Sequence, residues 1–244
     1  MTHSGIQQKK GVRRRRETVL FDQDGVIAAS EIKKSEAHVE TVLRMGGTNS
    51  EELTTLFADV IGLSYEKTRD RYLQCGMIAV GPEVNNTYRA LYRSIYSVKI
   101  KEVELTAGAL SLLEGIARQG YRIGLVSSAH SEEVSTILGR HGIDQFFDIV
   151  VTAESVDHHK PAPDPYLKAL AALGLQEKPH LAVVFEDTRA GIIAARAAGL
   201  RVIAVRHPLN QRQDFSEADR IIDSLTEGNQ ILAVIETFLS GYDA

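Results

Sequence analysis

The sequence predicts a doubly wound α/β domain carrying an all-helical insert, on three observations. Short, nearly unbroken apolar runs recur along the chain: Val19-Leu20-Phe21, then residues 123–126, 147–151, 181–185 and 202–205. Runs without polar alternation suit parallel strands buried on both faces. Segments of helical period separate these runs, and strand alternating with helix is the pattern of a parallel sheet covered on both sides. The alternation breaks once, between the first run and Leu110, where the period is helical throughout.

Each element follows from its own residues. In the insert, Ile32, Val39, Val42 and Leu43 form an apolar stripe that Gly46-Gly47 stops. Tyr88, Leu91, Tyr92, Ile95 and Tyr96 form another at i, i+3, i+4, i+7, i+8, which reads as packing within the insert rather than as a binding box. Leu110, Leu113 and Ala117 begin the next helix, which Gly120 ends. Ser131 can cap a helix with Glu132 and Glu133 in its first turn and Val134, Ile137 and Leu138 on its buried side. Asp164-Pro165 reads as an N-cap with proline at the first helical position. Ala190, Ile193, Ala194 and Ala197 form a last stripe, closed by Gly199. The expected organisation is a basic, mobile tail over 1–16, a catalytic α/β core over 17–27 and 105–244, and a helical cap over 28–104.

Composition excludes several classes of protein. The 244 residues are 43% hydrophobic and 25% charged, which is ordinary for a globular chain. No apolar stretch approaches the roughly 18–20 uncharged residues that cross a bilayer, and residues 1–16 lack the apolar segment of a secretory signal. Cys75 is the single cysteine, which excludes an internal disulfide and a cysteine-rich zinc site and makes a reducing cytoplasm the expected location. Lys9, Lys10, Arg13, Arg14, Arg15 and Arg16 hold six of the 28 basic residues, leaving 22 against 32 acidic ones in the rest. That arginine run is the only hint of a nucleic-acid or anionic-membrane partner. With no aromatic residues interleaved and an acidic body behind it, it reads as a solvated tail.

The chemistry-bearing residues follow the strands. Asp22 and Asp24, in Phe21-Asp22-Gln23-Asp24-Gly25, come directly after the first run, at the edge where ligands of doubly wound sheets bind. Alone, two aspartates before a glycine read equally well as a turn. Ser127-Ser128 follows the second run, Lys160 follows the third, and Glu186-Asp187 follows the fourth. One edge thus gathers a nucleophile, an acid/base, hydroxyls, a fixed cation and a further carboxylate pair. Like charges near 4 Å cost about 4 kcal/mol per pair at an effective dielectric of ~20, so such carboxylates require compensation. Mg²⁺ held by oxygen ligands supplies it, and Lys160 neutralises more while holding a transferring phosphoryl group. A carboxylate nucleophile splits one hard displacement into two easier ones.

With these residues in family order, the chain resembles the haloacid-dehalogenase-like superfamily, in particular its helical-cap phosphatases and β-phosphoglucomutase-like members. The resemblance runs from about Thr18 to Leu225. Its most specific segments are Phe21-Asp22-Gln23-Asp24-Gly25-Val26, Lys160-Pro161-Ala162-Pro163-Asp164-Pro165 and Phe185-Glu186-Asp187-Thr188-Arg189-Ala190-Gly191-Ile192. It implies a Rossmann-like core in which Asp22 attacks phosphorus and ligates Mg²⁺. Asp24 would act as acid/base and give the metal its backbone carbonyl. Ser127, with Ser128 beside it, would bind the phosphoryl oxygens, and Lys160 would bridge nucleophile and phosphate. Asp187 would complete the metal ligands, with Glu186 beside it or reaching the ion through water. Departures from the family pattern are Gln23, Ala29, Ser128, His159 and Thr106-Ala107-Gly108. None removes a catalytic group. His38, His158 and His159 read as packing or surface residues.

Asp24 favours cleavage of a phosphate ester, because an oxygen leaving group benefits from a general acid. Mutases of the group carry a histidine early in the first cap helix and an arginine in the glycine-containing substrate loop. Lys34 and Tyr65 (in Gly62-Leu63-Ser64-Tyr65) stand there instead, which favours transfer to water over transfer to a sugar hydroxyl. The expectation is a Mg²⁺-dependent phosphatase of a small phosphorylated metabolite. A sugar phosphomutase and a non-catalytic binding module are the alternatives.

Overall fold

A computed structural model describes residues 15–48, 50–57, 59–61 and 65–240. Lys9, Lys10, Arg13 and Arg14 of the basic run, and Gly62-Leu63-Ser64 of the insert loop, lie outside the described residues.

Among the described residues the sheet has six parallel strands: β1 Thr18–Phe21, β2 Arg122–Val126, β3 Ile149–Val151, β4 Ala182–Glu186, β5 Arg201–Val205 and β6 Arg220–Ile222. Their order is β3-β2-β1-β4-β5-β6. The chain therefore builds outward from β1 on one side, then returns and builds outward on the other. That makes β1 the topological switch point, whose carboxyl end faces the ligand crevice of a doubly wound fold. β6 was not visible in the sequence because it is a short, largely exposed edge strand.

Helices cover both faces. Alternate strand residues point to opposite sides, so Val19 and Phe21 pack with Leu112, Leu113 and Ile116 of α5 (Ala109–Arg118) and Ile231 and Ile235 of α9 (Gly228–Ser240). Leu20, Val184 and Val202 pack on the other face with Tyr166, Ala169 and Leu170 of α7 (Asp164–Ala172) and Ile192, Ala194 and Ala195 of α8 (Arg189–Ala197). α6 (Ser131–His141) lies between β2 and β3.

The insert contains α1 (Ser30–Arg44), α2 (Ser50–Phe57), α3 (Tyr65–Gln74) and α4 (Val84–Lys99), with a 3₁₀ turn at Ile100–Glu102. Its two ends are tied together: Ala28 and Leu105 form an antiparallel bridge, and Ala29 N–H donates to Glu104 O at 2.9 Å. The fold is thus the doubly wound α/β core with a helical cap that the sequence predicts.

Several local expectations change. In α1 the predicted stripe is misplaced: Ile32 is 53% and Leu43 39% exposed, while Glu31, Ser35, His38 and Thr41 are buried with Val42. The inward face of α1 is polar because it looks onto the carboxylates of the sheet edge and onto the cap tyrosines. Leu110 is exposed and α5 buries Ala109, Leu112 and Ile116 beside Leu113; in α8 the buried face is shifted to Gly191, Ile192 and Ala195 with Ala194. The α6 cap position is His130 rather than Ser131, and Pro163 rather than Asp164 precedes α7. Arg15 and Arg16, assigned to the mobile tail, are anchored. Arg15 N–H donates to Gly120 O at 2.9 Å, its guanidinium lies 4.6 Å from the Tyr121 ring, and Arg122 donates to Arg16 O.

Candidate active site

The carboxyl ends of β1, β2 and β4 bring Asp22, Ser127, Glu186 and Asp187 together, and the loop after β3 adds Lys160. Asp22 is fixed by its backbone N–H, which donates to Phe185 O at 2.9 Å and so continues the β1–β4 ladder one residue past the strand. Lys160 Nζ donates to Asp22 Oδ1 and Glu186 Oε1, both at 2.5 Å, and to Val126 O at 2.9 Å. Its side chain is buried, so all its charge is spent on these acceptors. Tyr166 O–H donates to Glu186 Oε1 at 2.6 Å.

Glycines make the close approaches possible. A Cβ on Gly191 would overlap the Glu186 carboxylate. Gly25 has φ +78°, and a Cβ there would strike Asp187 Oδ2. Asp187 Oδ2 also meets His207 Nε2 at 2.9 Å, and its backbone carbonyl accepts from Asn210 Nδ2 at 2.9 Å. Its other oxygen, Oδ1, is buried without a hydrogen-bond partner among the described residues.

Carboxylate oxygens of Asp22, Glu186 and Asp187 lie within 4.8 Å of one another. Burial, opposed by Lys160 and reinforced by Glu186, Asp187 and Asp24, raises the Asp22 carboxyl well above its usual range; burial and Glu186 do the same to Asp187. Three buried carboxylates against one ammonium leave an excess of two negative charges, a costly arrangement without a cation. Hard oxygen donors, an excess of two and one orphaned carboxylate oxygen fit a divalent ion such as Mg²⁺.

Asp24 is buried but turned toward the cap. Ser30 O–H donates to its Oδ1, and Lys34 Nζ approaches its Oδ2 at 2.7 Å. Burial pushes its carboxyl up, yet Lys34 and Ser30 outweigh that and hold it below the usual range. Ser127 is buried, with its N–H donating to Val151 O and its Oγ accepting from Ala129 N–H at 3.0 Å; Ser128 beside it is exposed. His158 and His159 are exposed, as expected, and His38 is a packing residue that meets Tyr88 O–H at 2.6 Å.

Sequence reasoning missed Ser30, Glu31, Tyr166, His207 and Asn210, and noted Lys34 only as a replacement. Ser30 and Lys34 are four apart and Glu31 and Lys34 three apart on α1, so one helix face carries all three. That spacing was available in the sequence. His207 and Asn210 follow the fifth apolar run, at the same sheet edge as the other site residues.

A parallel sheet whose switch point gathers three carboxylates and a lysine beside a helical insert is the architecture of an α/β hydrolase. The chain belongs to the haloacid dehalogenase-like hydrolase family, whose profile matches residues 19–205. It is 26% identical over 227 residues to a phosphorylated carbohydrates phosphatase of Thermotoga maritima, covering 91% of this chain and 100% of that one. It is 28% identical over 222 residues to pyrophosphatase PpaX of Bacillus mycoides, covering 89% and 97%. Among solved structures, CbbY from Rhodobacter sphaeroides in complex with phosphate superposes with TM-score 0.73 at 26% identity, covering 86% of this chain and 95% of that one.

Proposed function

We propose that the protein is a Mg²⁺-dependent phosphatase that hydrolyses a small phosphorylated metabolite through a phosphorylated Asp22. The observation that carries this reading is Lys160, which bridges Asp22 and Glu186 at 2.5 Å in a cluster where an Asp187 oxygen has no partner among the described residues. Phosphatases among the family relatives support it.

Asp22, Asp187 and the Asp24 carbonyl would hold the ion, with Glu186 in contact directly or through water. When bound, Mg²⁺ screens the carboxylates from the incoming phosphate dianion and stabilises charge on the transferring group. Lys160 orients Asp22 and neutralises phosphoryl oxygen; Ser127, with the N–H groups of its loop, binds the remaining oxygens. A carboxylate oxygen of Asp22 attacks phosphorus as the ester P–O bond breaks; Asp24, which takes up a proton when substrate entry parts it from Lys34, gives that proton to the departing oxygen. Asp24, now a carboxylate, takes a proton from water, whose oxygen attacks the phosphoryl-Asp22. The Asp22–phosphorus bond breaks, inorganic phosphate leaves, and both aspartates return to their starting forms. Lys34 and Tyr65, standing where mutases carry histidine and arginine, favour water as the acceptor. Residues 28–104 act as the cap that closes over this chemistry.

The test is phosphate release from a panel of phosphorylated metabolites with and without Mg²⁺, beside Asp22→Asn. Metal-dependent release that the variant lacks is the expected result. Isomerised sugar phosphate without free phosphate would replace this reading by a mutase. Silence with every ester and metal concentration would leave a non-catalytic binding module.

A further inference from the structure

The loop after β5 holds Asp187 from behind, and the cap touches that same loop. Asn210 fixes its base. The Asn210 side chain is buried, its Oδ1 accepts from His207 N–H at 2.8 Å, and its Nδ2 donates to Val205 O and Asp187 O, both at 2.9 Å. The His207 ring is held at both nitrogens. Nδ1 meets Leu209 N–H at 3.3 Å, and a backbone N–H can only donate, so Nδ1 is the accepting nitrogen. The ring hydrogen is therefore on Nε2, which donates to Asp187 Oδ2 at 2.9 Å. That bond occupies Oδ2 and leaves Oδ1, unpartnered among the described residues, as the oxygen for a cation.

Leu209 in turn is seated on the cap. Phe57 at the end of α2, with Val60 and Ile61 just after it, forms a separate apolar cluster, 3–5% exposed, against which Leu209 packs. Val60 N–H donates to Phe57 O at 2.9 Å and Asp59 N–H to Leu56 O at 3.1 Å, which fixes the shape of this corner. Arg212 meets Asp59 at 2.8 Å beside it, but with 61% and 38% of the two side chains exposed the ion pair adds little. The apolar seat is the stronger contact. One residue thus packs its side chain on the cap and aims its N–H at the ring that orients Asp187.

We propose that Leu209 is a positioning residue for the metal site, through which the cap cluster of Phe57, Val60 and Ile61 keeps Asp187 turned to present Oδ1. Taken off its seat, Leu209 carries its N–H away from Nδ1, the ring loses one of its two anchors, and Asp187 is free to rotate. The cap then supports metal affinity before any substrate is bound. This inference rests on the metal-dependent reading and adds to it the means by which the cap reaches the ion.

The experiment is calorimetric titration of Mg²⁺ without substrate, at a temperature where melts show every variant folded. Leu209→Ala is expected to weaken Mg²⁺ by about three- to tenfold, less than the roughly 10–100-fold typical of removing a direct partner of a metal ligand. Leu209→Met refills the seat and is expected to restore the affinity, and Ile61→Ala, on the cap side, to weaken it as Leu209→Ala does. The decisive comparison is a double-mutant cycle with His207→Ala. Once the ring is gone, Leu209→Ala is expected to change Mg²⁺ affinity no further. An unchanged affinity in Leu209→Ala, or an equal loss with and without His207, would overturn the inference and leave the phosphatase reading standing. A wild-type protein that takes up no Mg²⁺ at all removes both.

Discussion

Lys34 Nζ lies 2.7 Å from Asp24 Oδ2, so a cap helix places its cation directly on the carboxylate proposed to shuttle protons in the core. Chemistry and cap position are thereby linked through one ion pair. Lys34 holds the Asp24 carboxyl low, and its removal raises that pKa. Lys34→Met is expected to move the acidic limb of the kcat profile upward by about one pH unit, the size of effect a close opposite charge exerts. An acidic limb that stays in place, measured with a good leaving group so that hydrolysis of the phosphoryl-Asp22 limits turnover, would show that the pair does not act on Asp24 during turnover.

Gly191 tests the packing behind the site. Its Cβ position is occupied by the Glu186 carboxylate, which cannot retreat without releasing Lys160 and Tyr166. Gly191→Ala is expected to lower stability by about 1–3 kcal/mol, as overpacking does, and to lower kcat as Lys160 shifts. Gly139 of α6 is the control, having open space at its Cβ; alanine there is expected to stabilise the helix by up to about 1 kcal/mol. Thermal melts of the two variants, with kcat for the first, decide the matter. Equal melting temperatures would mean that Glu186 has room the structure does not show.

The contrast between core and cap explains what the sequence made legible. Five of the strands, and with them the positions of Asp22, Ser127, Lys160, Glu186 and Asp187, follow from apolar runs; β1, β2, β4 and β5 are buried on both faces and so have no choice of face, whereas β3 is a partly exposed edge strand. α1 was placed but turned wrongly. Its buried side includes Glu31, Ser35, His38 and Thr41, polar residues of which Glu31 pairs with Lys34, His38 with Tyr88 and Thr41 with the Ala37 carbonyl. Hydrophobic periodicity is blind to such a face. β6 escaped for the opposite reason, being too short and exposed to carry a pattern.

His38 gives the cap an acid sensitivity. Burial, with Lys34 adding to it, lowers its pKa from 6.5 to about 3. Below pH 6.5 the unfolded chain therefore takes up a proton that the folded cap refuses until about pH 3. Stability from this residue is complete above pH 6.5 and falls through that window by about 1.4 kcal/mol per pH unit. His38→Asn, which cannot titrate, is expected to be less stable at pH 7 and to lose less between pH 7 and pH 5 than wild type. Denaturant melts at the two pH values measure the difference, and parallel losses in both proteins would place the proton elsewhere.

His207 bears on the proposed metal site without being assigned as a ligand. Its Nε2 meets Asp187 Oδ2 at 2.9 Å, leaving Oδ1 as the free oxygen of that carboxylate. Its backbone is set by Asn210, whose Oδ1 accepts from His207 N–H at 2.8 Å and whose Nδ2 holds the Asp187 carbonyl. Groups that orient a metal-binding carboxylate from behind typically contribute 10–100-fold to metal affinity. His207→Ala is accordingly expected to weaken Mg²⁺ binding by about 10–100-fold, read by calorimetric titration of the metal in the absence of substrate. The KM for phosphate ester at saturating Mg²⁺ should move far less, because the ring touches Asp187 and not Ser127 or Lys160, the proposed phosphoryl-binding groups. A variant that binds Mg²⁺ as tightly as wild type would reduce His207 to filling the space beside Gly25.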